Sequence, residues 1–371
     1  MLFVGDFVPQ ATVPRLPDFG GQWMVANLEG PVCADGLPGA PKVGVRLRNE
    51  PFAIPGKVAF ALANNHMMDF GADGLRQTRQ FLSDRGHPCA GAGEREDEAR
   101  RPMFLEECGK RIAVISCCER QFGVATGSSD GVAAKGEWLY AAIAAAKATA
   151  DFVVVSCHCA SEFSTAVSPR LQVFYRSLVD AGADVVHGHH AHVPQGWEAY
   201  RGRPIFYGLG NFAVARENWK GLANGLWSLL AWVDFSGETP SWKVEPFGEV
   251  PSDVQNYLIG ANLGFESPEL LEALWQDSCV RLYHRLYEQQ LRAPSVADVP
   301  LALRDRCRKL RFLFSDLRRV LLGRERPDAH SLQRGRVIYH YFACESHADV
   351  IQTALGVLTG SIPDERGRLP K

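Results

Sequence analysis

Four histidines fall within six residues in the run Asp184-Val185-Val186-His187-Gly188-His189-His190-Ala191-His192. The apolar residues before them predict a short strand that runs straight into the cluster. Neutral imidazole is the commonest protein ligand for transition metals. In an extended segment the i, i+2 spacing of His190 and His192 places both rings on one side of the backbone, where two nitrogens can reach one ion. A lone histidine on a strand is more often a satisfied core or loop residue. Four at a strand end, where loops carry function, favour a metal.

The same pattern recurs along the chain. Met1–Asp6 reads as an apolar strand ending in Gly5-Asp6, and Gln22–Leu28 as a second one ending in Asn27-Leu28-Glu29-Gly30-Pro31. Val58–Ala63 delivers Asn64-Asn65-His66, with Asp69 and Gly71 just beyond. Asp151–Ser156 ends in Cys157-His158-Cys159, with Glu162 four residues past His158, and Pro204–Tyr207 ends in Gly208-Leu209-Gly210-Asn211-Phe212. Open α/β sheets place their sites at the carboxyl ends of strands. Collected there, Asp6, Glu29, Asn65, His66, His158, His190 and His192 combine carboxylate, amide and imidazole, a set that suits Mn, Fe or Zn better than calcium. Two such ions about 3.5–4 Å apart clamp a phosphoryl group for in-line attack. Lys42, Arg46 and Arg48, in the loop Pro38–Pro55, are candidates to face an anionic substrate, against the commoner reading of a solvated edge.

Positioning these groups requires buried strands and covering helices. Helical spacing of Leu75, Thr78, Phe81 and Leu82 predicts a helix over 72–85, ended by Gly86 and Pro88. An alanine-rich helix is expected over 136–150 and another from Ser168-Pro169 to Ala181. Met103–Glu107 and Arg111–Cys117 read as a hairpin around Gly109-Lys110, the polar stretch Glu119–Lys135 as a loop, and Leu226–Phe235 with Trp242–Val250 as a hairpin around Gly237. The alternation predicts an α/β domain over residues 1–250. Beyond Pro251 the pattern turns helical, with segments at Glu269–Leu291, Leu301–Leu322 and Arg336–Leu358. The middle one is basic (Arg304, Arg306, Arg308, Lys309, Arg311, Arg318, Arg319). A membrane-surface or polyanion-binding face competes there with the favoured reading, a packed helix whose arginines are solvated.

Bulk properties agree with a folded protein of the cell interior. The chain has 371 residues, 46% hydrophobic and 22% charged, enough for a sizeable core plus a smaller C-terminal region over 251–371. A formal net charge of −2 gives no pull toward nucleic acid or an anionic membrane. No apolar run has the length of a transmembrane helix, and the N-terminus lacks the basic start of a secretory signal. Ten cysteines, mostly within apolar runs and with no CxxC pair, suit reduced buried thiols and a cytoplasmic location.

In order, Gly5-Asp6, Asn27-Leu28-Glu29-Gly30, Ala63-Asn64-Asn65-His66 with Asp69 and Gly71, His158 with Glu162, Gly188-His189-His190-Ala191-His192-Val193 and Tyr207-Gly208-Leu209-Gly210-Asn211-Phe212 resemble the successive motifs of the CapA family. That family is named for poly-gamma-glutamate capsule synthesis and is related to calcineurin-like metallophosphoesterases. The resemblance covers roughly residues 1–250. It implies a four-layer α/β/β/α sandwich with the metals at the strand ends, followed here by a helical extension. By position it implies Asp6, Glu29, Asn65, His158, His190 and His192 as ligands of one or two divalent ions. His66 would serve the phosphate or the leaving group, beside Asp6 as the catalytic pair. Asn64 and His189 would orient ligands, and Glu162 and Asn211 would touch substrate or ligands. Wider phosphoesterases carry a histidine two residues after the first aspartate, where this chain has Val8. The resemblance thus implies a metal-dependent hydrolase of an anionic small molecule or polymer. A non-catalytic component of polymer assembly, docking a partner through its C-terminal helices, and a gamma-glutamyl-type amidase are the competing expectations.

Overall fold

Strands that are apolar at every position suit a sheet covered on both faces, and the N-terminal strand β1 (Leu2–Phe7) is buried throughout. The computed structural model describes residues 1–9, 16–42, 44–287 and 344–369. After β1 come β2 (Trp23–Leu28), β3 (Lys57–Ala61) and helix α1 (Gly71–Asp84), which buries Leu75, Thr78, Phe81 and Leu82 on one face. Short strands β4 (Cys89–Ala90) and β5 (Ala92–Gly93) and the single turn α2 (Glu96–Ala99) lead to the hairpin β6 (Met103–Glu107) and β7 (Lys110–Cys118). Its loop residues Cys108 and Gly109 both have positive φ, 52° and 72°, as a two-residue type I′ turn requires. Within the stretch expected to be loop, β8 (Gly131–Val132) pairs with β5 in a small separate sheet.

Helix α3 (Trp138–Lys147), strand β9 (Phe152–His158), helix α4 (Pro169–Asp180) and strand β10 (Val185–His189) follow. Pro169 sits in the first turn of α4, where its missing N–H leaves nothing unpaired. Strands β11 (Trp197–Tyr200), β12 (Arg203–Phe206) and β13 (Asn211–Ala213), the turn α5 (Arg216–Trp219) and the hairpin β14 (Trp227–Asp234) with β15 (Ser241–Gly248) complete the sheets.

The first sheet has strand order β15-β14-β1-β2-β3-β4, with β13 also against β1; the second has β11-β12-β10-β9-β7-β6. The central strands of each run parallel; β14 runs antiparallel to both β1 and β15, and the edges β11 and β6 are antiparallel to their neighbours. Alternation along the strands sorts the side chains between two faces. Phe3, Val25 and Ala59 of the first sheet share a core with Ile112, Val114, Val154 and Val185 of the second. Their neighbours Leu2, Val4, Met24, Ala26, Val58 and Phe60 pack on Leu75, Phe81 and Leu82 of α1. On the far side Ala113, Ile115, Val153, Val155 and Val186 meet Leu139 and Ile143 of α3 and Leu171, Tyr175 and Leu178 of α4. The expected four-layer α/β/β/α sandwich is therefore the fold. Each fully buried aliphatic or aromatic side chain contributes about 1.5–3 kcal/mol, so the two sheets are held rigidly enough to aim groups at their ends.

Beyond the sheets lie α6 (Val254–Leu263), α7 (Pro268–Leu282), a π-helical turn over Tyr283–Tyr287 and α8 (Glu345–Thr359). Ser267 caps α7 by accepting the Leu270 N–H, and Gly360, at φ 71°, ends α8. Trp275, Cys279, Val280 and Leu282 of α7 pack on Val350, Ala354 and Val357 of α8. The helix expected over Leu301–Leu322, with its arginines, lies outside the described residues, as does the first part of the segment expected from Arg336. No helix among the described residues is long and apolar enough to cross a membrane.

Candidate metal centre

In-register pairing brings the polar strand ends abreast. Asp6 pairs with Asn27 of β2 on one side and Asn211 of β13 on the other, and His158 of β9 pairs with His189 of β10. The approach is backbone on backbone. A Cβ on Gly5 would lie 1.8 Å from the Gly210 carbonyl oxygen, and one on Gly188 2.1 Å from that of Tyr207, so both positions require glycine.

The buried Asp6 carboxylate accepts the Asn27 Nδ2–H at 2.8 Å and the His190 backbone N–H at 3.4 Å. Its oxygens lie 3.4 Å from His192 Nδ1 and 3.5 Å from His189 Nδ1. Glu29 Oε1 lies 3.6 Å from His192 Nε2, 3.8 Å from His158 Nε2 and 3.9 Å from His66 Nε2. Neither Glu29 oxygen has a hydrogen-bond donor among the described residues. Asn65 Oδ1 is 2.9 Å from His158 Nε2. Three overlapping groups, Glu29–His158–His190, Asp6–Glu29–His192 and Glu162–His190–His192, each bring their ligand atoms within 4.8 Å of one another. Ligands about 2.0–2.2 Å from one ion stand about 3–3.6 Å apart, so this donor set fits a divalent cation.

Electrostatics point the same way. Burial raises the Asp6 carboxyl, and burial together with neighbouring Asp6 raises Glu29 well above the usual range. Burial, helped by the imidazoles around it, holds His158 well below its ordinary value. A water-excluded set of acids and imidazoles is costly in either protonation state, and a cation among them relieves both. Burial also disfavours charge on His190, but the adjacent Glu119 and Glu162 outweigh it and its pKa stands above the ordinary one.

The supporting contacts orient these groups. Asn211 Oδ1 lies 3.0 Å from His192 Nδ1, while its Nδ2 donates to the Gly225 carbonyl at 3.0 Å. That arrangement fixes a proton on Nδ1 and turns Nε2 toward Glu29. His66 Nδ1 is 2.7 Å from Asp69 Oδ2, which leaves its Nε2 facing the site. Asn64 donates to the Leu28 carbonyl at 2.8 Å and accepts the His66 N–H at 3.2 Å, so it shapes the loop. His189 Nε2 contacts Ser156 Oγ at 3.2 Å, and His187 turns into the core, its Nε2 donating to the Val4 carbonyl at 2.8 Å.

One geometric expectation fails. His190 and His192 are not extended: β10 stops at His189, and the two residues have φ of 89° and 58°. A left-handed turn, not the strand pleat, aims both imidazoles inward, with ring centroids 6.2 Å apart. Such conformations cost of order 1–3 kcal/mol and persist where the surroundings hold them.

Arg46 is exposed, and its guanidinium donates to the Ala40 carbonyl at 2.7 and 3.0 Å. The cation of that loop at the cluster is Lys42, paired with Asp69 and 3.1 Å from His66 Nδ1. Sequence reasoning gave no role to Asn27, Asp69 or Glu119. The first two lie inside the motifs, and Glu119 directly follows β7, so the strand-end rule reaches it too. Glu119 Oε1 is 3.3 Å from His190 Nε2. His347, 3.9 Å from Glu162, comes from α8 and carries no motif signal.

The family model described as bacterial capsule synthesis protein PGA_cap matches residues 20–216, just over half of the chain. The capsule biosynthesis protein CapA of Bacillus anthracis is 34% identical over 165 residues, 43% of this chain and 40% of that protein. A Mycobacterium tuberculosis protein named "Probable polyglutamine synthesis accessory protein" is 34% identical over 207 residues, 50% of this chain and 53% of its own length. The chain thus spans about half the length of these curated relatives or less. A solved 5′-nucleotidase from Candida albicans aligns with 61% of this chain and 43% of its own at 12% identity and a TM-score of 0.33, too low to bear on activity. With the family model spanning residues 20–216, the chain belongs to the PGA_cap family of bacterial capsule synthesis proteins.

Proposed function

We propose that the protein is a metal-dependent hydrolase acting on a phosphoester, or a related bond, of an anionic substrate in capsule or polysaccharide metabolism. The observation that carries this reading is Glu29: a buried carboxylate with no donor among the described residues, within 3.9 Å of nitrogens of His66, His158 and His192. Asp6, Glu29, Asn65, His158, His190 and His192 would hold one or two ions of Mn, Fe or Zn. When bound, such an ion lowers the pKa of coordinated water to about 7 and offsets charge on a phosphoryl group. His66, its Nδ1 facing Asp69, presents Nε2 to the phosphate or to the leaving group. Lys42 balances Asp69 and adds positive charge beside His66. Asn64, His189, Glu162 and Asn211 orient the ligands. The names of the relatives, capsule biosynthesis protein and probable polyglutamine synthesis accessory protein, support a setting in capsule-polymer synthesis.

Elemental analysis of purified protein and turnover of an aryl phosphate diester with added Mn(II) test this together. Bound metal and activity lost in His66→Ala are expected; no metal and no turnover would overturn it. A second reading, a non-catalytic polyanion-binding component, is favoured by Val8, which is buried and offers no imidazole two residues after Asp6. Release of amine without phosphate, followed by ninhydrin, would instead mark an amidase.

A further inference from the structure

The family model ends at residue 216, yet a helix far beyond it reaches the candidate centre. His190 lies between two carboxylates, with Nε2 3.3 Å from Glu119 Oε1 and Nδ1 4.0 Å from Glu162 Oε1; the Gln121 amide, which also contacts Glu119 Oε1, lies 3.1 Å from the same Nε2. Each of these acids is met from the start of α8. Ser346 Oγ donates to Glu119 Oε1 at 2.8 Å, across 227 positions of sequence, and the Cys344 thiol donates to the same oxygen at 3.4 Å. His347 Nε2 lies 3.9 Å from Glu162 Oε2. Ser346 and Cys344 are buried.

A hydroxyl in the first turn of a helix ordinarily serves its own backbone. Here Ser346 is spent on a distant buried carboxylate instead. The helix is anchored independently of that bond: Lys135 pairs with Glu345 at 2.6 Å, Ser168 donates to Asp349 at 2.7 Å, and Arg170 pairs with Asp349 at 2.9 Å. The segment carrying Glu162 is tied to α7 as well, through Ser164 Oγ and Ser278 Oγ at 2.8 Å.

We propose that the first turn of α8 is a positioning element for His190. Ser346 fixes Glu119, Glu119 holds the imidazole proton on Nε2, and Nδ1 is left to the cation. His190 Nδ1 has no hydrogen bond among the described residues, as this role requires. The partners of a ligand imidazole set its tautomer and ring angle, and removing one typically costs about 10–100-fold in metal affinity. The inference rests on the metal reading above and adds the C-terminal region to it.

The test is Zn(II) affinity of the full chain, by competition with a chromophoric chelator, with the visible spectrum of the Co(II)-loaded protein as a second readout. Ser346→Ala and Glu119→Gln should each weaken Zn(II) binding about 10–100-fold and shift the Co(II) spectrum. Arg170→Ala, which breaks an exposed anchor of α8 without touching Glu119, should do neither. Glu119→Gln keeps the side-chain volume, so the idea stays testable if Ser346→Ala folds poorly. Wild-type binding with both variants inside about twofold of it would overturn this proposal alone, against the effect expected of such partners. Failure of the wild type to take up Zn(II) or Co(II) would overturn the metal reading and this inference with it.

Discussion

At the site the first sheet supplies mostly oxygen and the second mostly nitrogen, the exceptions being His66 from the first and Glu119 and Glu162 from the second. Asp6, Asn27, Glu29, Asn65 and Asn211 come from or just after β1, β2, β3 and β13, whereas His158, His189, His190 and His192 come from or just after β9 and β10. The second sheet by itself supplies one mixed group, Glu162–His190–His192, while Glu29–His158–His190 and Asp6–Glu29–His192 each take ligands from both sheets. Taken apart, the buried Asp6 and Glu29 carboxylates and the buried imidazoles of His158, His189, His190 and His192 would each be costly. The difference teaches that the centre belongs to the seam between the sheets. Packing of Phe3, Val25 and Ala59 on Val114, Val154 and Val185 is what brings the halves together.

The sharpest way to break this comparison is to disable one half at a time. Glu29→Gln and His192→Ala should each abolish stoichiometric metal, read by elemental analysis. If only the histidine change does so, the ion belongs to one sheet and the seam reading is wrong. Next in size are the glycines that let the strand ends close. Gly5→Ala on the first sheet and Gly188→Ala on the second drive a methyl into a carbonyl oxygen, and each should cost about 3 kcal/mol or more in denaturant unfolding, since backbone cannot yield as a side chain does. Unchanged midpoints would mean the ends are looser than described.

A smaller effect is expected across the seam itself. Asn211→Leu removes the acceptor on His192 Nδ1 and should weaken metal binding about 10-fold by equilibrium titration while leaving the fold intact. At neutral pH the smallest effect is on pH response, which grows only on acidification. Burial pushes the His187 imidazole down to about 3 from 6.5, only partly offset by its bond to the Val4 carbonyl. From about pH 6.5 down toward pH 3 the unfolded chain therefore takes up a proton that the folded chain refuses. Its stabilising contribution is present above that window and is lost on acidification, at about 1.4 kcal/mol per pH unit. His187→Asn should remove one proton's worth of that acid slope from the chelator-treated protein, read as urea midpoint against pH; an unaltered slope would place the proton uptake elsewhere.

Much of the scaffold was legible because its signals are local. The unbroken apolar runs of β1, β2, β9 and β10 predict buried parallel strands, and the hairpins β6–β7 and β14–β15 follow from turn residues between such runs. Asp6, Glu29, Asn65, His66, His158, His190 and His192 stood out as polar residues at the ends of those runs. The i, i+2 argument for His190 and His192 failed because it assumed an extended backbone, and only the packed structure shows both residues at positive φ. Glu119 sits at a strand end, but in a polar stretch its carboxylate is indistinguishable from a solvated one until the fold buries it against His190.

What the amino-acid order determined by itself was the kind of group delivered at each strand end, since strand apolarity and polar punctuation are written within a few residues. What only the tertiary structure decided was which of those groups meet. Asp6 and His192, Glu29 and His158, and Ser346 and Glu119 are set side by side by register, sheet packing and helix docking. Each of those contacts joins residues more than a hundred positions apart, and no local pattern encodes such a distance.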